Sequence, residues 1–186
     1  MIKRVHLVVL MTIASAVIAT AQKATFKTYY NKENKVGFKY PAAKWKVAKE
    51  ESQYWGGVEE PGFTSLVDLM RDDAALPGSV FQAEVSLKTA AIDEATCMAM
   101  KIGNLTDPNI KPVAKKIGAR TFSYLTDSEG ATGHASITQF YRTFNDGRCY
   151  ELGFMTWGAN NGAKRDRSDK AMDQQFSALL RSLYFK

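Results

Sequence analysis

Residues 136–157 read SITQFYRTFN-DG-RCYELGFMTW, two ten-residue arms around Asp146-Gly147. An Asp-Gly pair suits a two-residue type I′ turn, in which both central residues take positive φ, and it is a strong short-range hairpin signal. Apolar and β-branched residues recur through both arms, as in strands. A two-residue loop sets Arg142 opposite Glu151, Thr143 opposite Tyr150 and Phe144 opposite Cys149, whereas a three-residue loop with a bulge would shift these pairs. The Arg142–Glu151 pairing of opposite charges adds a few tenths to about 1 kcal/mol. An antiparallel sheet is therefore expected at the centre of the chain.

Working outward toward the C-terminus, Gly158–Arg167 is rich in glycine, asparagine and charge and reads as a loop. Met172, Phe176, Leu179, Leu180 and Leu183 then recur at helical spacing. Ser168 or Asp169 is the expected cap, and Lys170, Asp173 and Gln174 occupy the opposite side. A helix with one apolar stripe must lie on the sheet to hide it.

Working outward toward the N-terminus, strands are expected over Val113–Ile117 and Arg120–Thr126, and earlier over Ser65–Arg71 and Val80–Thr89. Pro77-Gly78 marks the turn between the latter two. Asp93 caps a short helix from Glu94 to about Ile102, with Ile92 placed to staple its first turn. Asn104–Pro112 and Tyr54–Gly62 read as loops. Phe26–Tyr30 and Val36–Tyr40 read as strands, the second closed by Pro41, whose missing N–H cannot join a ladder. Trp45 and Val47 suggest a further strand.

Met1–Ala21 has the build of an export signal. Lys3 and Arg4 form a positive start, Val5–Ala19 an apolar core, and Ala19-Thr20-Ala21 a small-residue cleavage site after Ala21. The core is shorter than the ~20 apolar residues a spanning helix needs, so no transmembrane anchor is expected after cleavage. The mature chain, residues 22–186, has the length of one domain. Loss of Lys3 and Arg4 lowers the formal charge from +6 to +4. That surplus is ordinary solubility charge, and nucleic acid is not an expected partner.

Export sets the reading of the two cysteines, Cys97 and Cys149. In an oxidising compartment they are expected to pair, joining the short helix to the sheet and contributing roughly 4 kcal/mol. Without CxxC spacing, a redox or metal-binding pair is disfavoured.

The chemistry-bearing side chains form no catalytic or cofactor signature. His134 is the only histidine of the mature chain. Ser123, Ser128 and Ser136 are available nucleophiles, but no nucleophile elbow surrounds them. Asp68, Asp72 and Asp73 lack the spacing of a calcium loop, since Pro77 and Gly78 fall where ligands belong. Lys164-Arg165-Asp166-Arg167 reads as a charged loop before a helix. Gly56-Gly57 lacks phosphate-loop context. No catalytic residue, cofactor or metal is expected. Tyr29, Tyr30, Tyr54 and Trp55 cluster in the N-terminal third, and any exposed subset would form a partner or glycan surface.

Two stretches carry a family resemblance. Val36-Gly37-Phe38-Lys39-Tyr40-Pro41 followed by Trp45-Lys46-Val47 is similar to the opening of PsbP-like and DcrB-like proteins. Phe176-Ser177-Ala178-Leu179-Leu180-Arg181-Ser182-Leu183-Tyr184-Phe185 resembles their closing helix, which runs into a short hydrophobic strand. The resemblance covers about residues 25–186. It implies an α+β fold, the PsbP-like α/β/α sandwich, with helices on both faces of an antiparallel sheet. It also implies work by binding, with no family catalytic residue to carry over.

The resulting expectation is an exported, periplasmic or extracellular, non-enzymatic protein with a protein partner in the cell envelope. The alternative is a small periplasmic hydrolase or a small-molecule or lipid binder, with a pocket built from Trp45, Tyr54, Trp55 and Trp157.

Overall fold

A computed structural model describes residues 25–48, 62–71, 76–102, 105 and 109–186. The export signal at Met1–Ala21, Tyr54, Trp55, the Gly56-Gly57 pair and the Asp72-Asp73 pair lie outside the described residues.

The fold is α+β. Strands β3 (Lys46–Val47), β4 (Thr64–Arg71), β5 (Val80–Ala90), β6 (Val113–Ile117), β7 (Arg120–Ala131), β8 (His134–Asn145) and β9 (Arg148–Ala159) form one antiparallel sheet. Its order is β3-β4-β5-β9-β8-β7-β6. The β8–β9 hairpin sits in the middle with the register its turn dictates: Arg142 opposite Glu151, Thr143 opposite Tyr150, Phe144 opposite Cys149. Asp146 and Gly147 take φ of 49° and 73°, the positive values a type I′ turn requires. The Arg142–Glu151 pair is buried, with Nη2 at 2.7 Å from Oε2, and the guanidinium lies 4.7 Å from the Phe63 ring centroid.

A second sheet of three strands was not foreseen from the sequence. Strand β1 (Phe26–Asn31), β2 (Val36–Pro41) and β10 (Tyr184–Phe185) assemble in the order β1-β2-β10. The short strand after the closing helix was expected and is β10, but its partner β2 lies near the other end of the chain and nothing local marks the pairing. Gly37 is required where Tyr184 crosses it, because a Cβ there would stand 2.6 Å from the tyrosine oxygen. The small sheet presents Val36, Phe38 and Tyr40 to the core, where they meet Leu69, Leu87, Leu152 and Phe154 of the large sheet.

Helix α1 (Glu94–Ala99) and helix α2 (Ala163–Arg181) cover opposite faces of the large sheet. Asp93 caps α1, its Oδ1 accepting from the Thr96 amide at 2.9 Å. The helix ends at Ala99, three residues before the expected Ile102, and Met100 adopts the left-handed conformation of a C-cap. Cys97 on α1 is bonded to Cys149 on β9, with Cα atoms 5.5 Å apart. Ala90, Ile92, Phe63, Met98 and Phe144 pack around that bridge.

The start of α2 corrects the sequence reading. The helix begins at Ala163 with Gly162 as its N-cap, and neither Ser168 nor Asp169 caps it. Lys164–Arg167 is therefore the first helical turn rather than a loop. Two polar residues continue the buried stripe toward the N-terminus, where a hydropathy pattern cannot register them. Arg165 is 4% exposed; its Nη1 donates to the Ala135 carbonyl at 3.1 Å and its Nη2 to Thr156 Oγ1 at 3.1 Å. Its Nε donates to both carboxylate oxygens of Asp169. Ser168 Oγ accepts from the Ser79 amide at 3.1 Å and donates to the Lys164 carbonyl. These bonds fasten the helix to the β5 and β9 ends of the sheet.

Candidate functional site

Met172, Phe176, Leu179 and Leu180 turn the buried side of α2 into the core, where Phe176 meets Phe154 at 4.6 Å between centroids. The two flanks of the helix differ. On one, Asp173 accepts from Gln139 Nε2, Gln139 Oε1 accepts from Tyr141 Oη, and Tyr141 Oη accepts from Lys115 Nζ, the last two at 3.0 Å. Burial pushes the Tyr141 and Tyr124 phenols above the usual tyrosine range. This chain of bonds joins α2 to β8 and β6.

The other flank opens into a groove of about 620 Å³ between α2 and the Lys39–Trp45 segment. Ala171, Gln174, Gln175, Ala178 and Arg181 line it from the helix, at the three- and four-residue intervals that put them on one side. Phe26, Lys39, Pro41, Lys44 and Trp45 line it from the small sheet and the turn beyond. The two alanines matter because they let another molecule approach the helix backbone.

The walls are held in place from both sides. Ser182 forms the seam, its Oγ accepting from the Lys39 amide at 2.8 Å and donating to the Leu179 carbonyl at 2.7 Å. The turn carrying Lys44 and Trp45 is closed by their amides donating to the Pro41 carbonyl at 3.0 and 3.1 Å. Arg71, buried beneath, donates from Nη1 to Gln175 Oε1 at 2.8 Å and fixes that amide. Trp45 packs on Phe176 with centroids 6.2 Å apart and is 2% exposed. Its indole Nε1 is buried without a hydrogen-bond partner among the described residues.

Of the four aromatics expected to build a pocket, Trp45 is at the groove and Trp157 is elsewhere. Trp157 stacks on His134 with centroids 5.0 Å apart and planes 3° from parallel. Phe81, turned outward by the irregularity at Val80/Gln82, meets both rings edge-on. His134, Ser136 and Glu129 share one face near the β7–β8 turn, since Ser136 is in register with Glu129. Ser123 Oγ is committed to the Met98 carbonyl at 2.6 Å. Asp68 accepts from Ser65, and no group of three or more metal-ligating side chains occurs among the described residues.

The groove was missed in sequence because it is a property of the helix's side and not of its stripe. Lys39, Lys44 and Arg181 are scattered over 143 positions, and nothing local marks them as neighbours. Only the alanines at 171 and 178, small where a surface helix usually carries longer polar residues, hint at a contact surface.

No family model and no curated protein matches this chain. Among solved structures, a protein of Bacteroides thetaiotaomicron superposes with a TM-score of 0.50 at 10% identity. The match covers 86% of this chain and 48% of that one, so this chain spans about half of its neighbour's length. LpqN of Mycobacterium tuberculosis, described as involved in cell envelope biogenesis, gives a TM-score of 0.44 at 13% identity, covering 90% and 87% of the two chains. At such identities the likeness to the Bacteroides structure extends to the fold alone.

Proposed function

We propose that this is an exported, non-catalytic binding protein that holds a small, largely apolar ligand in the groove between α2 and the Lys39–Trp45 segment. The observation that carries the reading is the groove itself. Its volume of about 620 Å³ falls within the ~300–1,000 Å³ of small-ligand sites, and apolar walls with a few fixed polar groups match the usual composition of such sites.

The expectation of a protein partner draws less support from the surface. Among the described residues the exposed large apolar side chains are Phe26, Val47, Phe81 and Val113, on four different strands. A protein interface usually gathers its apolar residues into one patch. The hydrolase alternative gains nothing from His134, whose ring is stacked on Trp157. No helix among the described residues is long and apolar enough to cross a membrane.

The test is to purify the mature chain natively from an exporting host, extract it with organic solvent and analyse the extract by mass spectrometry. Ala178→Trp, which fills the groove from an exposed helix position, serves as the paired control. A small molecule retained by the wild type and absent from Ala178→Trp supports the reading. Equal recovery from both proteins, or from neither, goes against it.

A further inference from the structure

We infer that the groove's ligand is a singly charged anionic amphiphile with one acyl chain, a fatty-acid carboxylate, whose headgroup lies among Lys39, Lys44 and Arg181. This rests on the groove being the binding site. Of the twelve described residues that line it, three are cations and none is a carboxylate. All three cations are exposed, and no ion pair engages any of them among the described residues. Cations grouped without a counter-charge repel one another, and a site built this way attracts a negative ligand.

The rest of the lining selects what carries that charge. Phe26, Pro41, Trp45, Ala171, Ala178 and Leu179 form an apolar wall, which a hydrocarbon chain covers at a gain of ~25 cal/mol for each Å² removed from water. An inorganic anion leaves that wall wet. A neutral chain leaves the cations unpaired. A carboxylate on a chain uses both halves of the site.

The headgroup's charge is limited by the helix. Arg181 is in the last turn of α2, where the partial negative charge of the helix end is itself a partner for a cation. That leaves Lys39 and Lys44 with surplus charge for the ligand, which suits a carboxylate better than a doubly charged phosphate. The unpartnered Trp45 indole N–H and the fixed Gln175 amide add polar groups nearby.

The experiment titrates the mature chain with dansyl-undecanoic acid and with its methyl ester, following dansyl fluorescence. Lys39→Gln/Lys44→Gln and Ala178→Trp are run beside the wild type, each checked for folding by circular dichroism. The acid is expected to bind roughly tenfold more tightly than the ester, and the double glutamine variant to remove that preference. Raising salt from about 50 to about 500 mM should weaken the acid alone. Equal affinity of acid and ester, or an acid preference that survives the double variant, overturns the carboxylate assignment while leaving the groove as a binding site. Binding of neither probe, or binding unaffected by Ala178→Trp, overturns the groove reading as well.

Discussion

At Gly158 the backbone of β9 runs against the turn that precedes β5. A Cβ built there would stand 2.0 Å from the Ser79 carbonyl oxygen and 2.8 Å from Arg165 Nη1. Neither atom has room to retreat, since the carbonyl already accepts from the Ala159 amide and the guanidinium is buried. Gly158→Ala should therefore cost about 2–3 kcal/mol and lower the melting temperature by roughly 5–10 °C, read by a thermal scan. Asp169, bonded to the same arginine, gives a pH signature. Burial is the largest influence on its pKa, and together with the neighbouring charges of Asp173 and Asp166 it outweighs the hydrogen bond and charge of Arg165, so the carboxyl sits above its ordinary value. The folded state thus holds this proton at pH values where the unfolded chain has released it. Stability supplied by the protonated form is present below the ordinary aspartate range and is lost as pH rises through the raised value. In urea titrations, the stability of wild type relative to Asp169→Asn should fall as pH climbs above about 4 and then level off.

Among the elements, α1 is held to the sheet chiefly by the Cys97–Cys149 bridge, which closes a separation of 52 residues. Replacing both cysteines by serine should remove roughly 4 kcal/mol in chemical denaturation. Both sulfurs are fully buried, so a mild reductant under native conditions should leave the bridge intact until the protein opens. The hairpin was legible because Asp146-Gly147 suits a two-residue turn, and the register that turn sets is the one observed. The body of α2 was legible because Met172, Phe176, Leu179 and Leu180 repeat at helical spacing. Its first turn was not legible, because Arg165 and Ser168 are buried by hydrogen bonds and not by hydrophobicity. A rule that finds buried stripes from apolar residues cannot see a buried guanidinium.

In the whole molecule, the small sheet forms one wall of the groove, and it depends on the last residues. Tyr184 crosses Gly37 and stacks on Tyr30 at 6.0 Å, while Phe185 meets Tyr150 at 4.7 Å and lies under the Arg120 guanidinium at 4.3 Å. Deleting residues 184–186 should lower stability by at least about 3 kcal/mol in urea, because two aromatic contacts and a strand disappear together. The fold class was legible from the order of elements. The groove was not, since its two walls come from opposite ends of the chain and meet only through tertiary packing.

That meeting has a consequence for timing. The seam that shapes the groove joins Lys39 to Ser182, 143 residues apart. A chain that emerges from its N-terminus, as it does during synthesis, delivers β1 and β2 long before the helix and strand that complete them. During that interval Phe38, Tyr40 and Trp45 have no core to enter, and the pocket does not yet exist. The two walls of the groove can meet only after the final turn of α2 has emerged, so its shape is among the last features of the molecule to form.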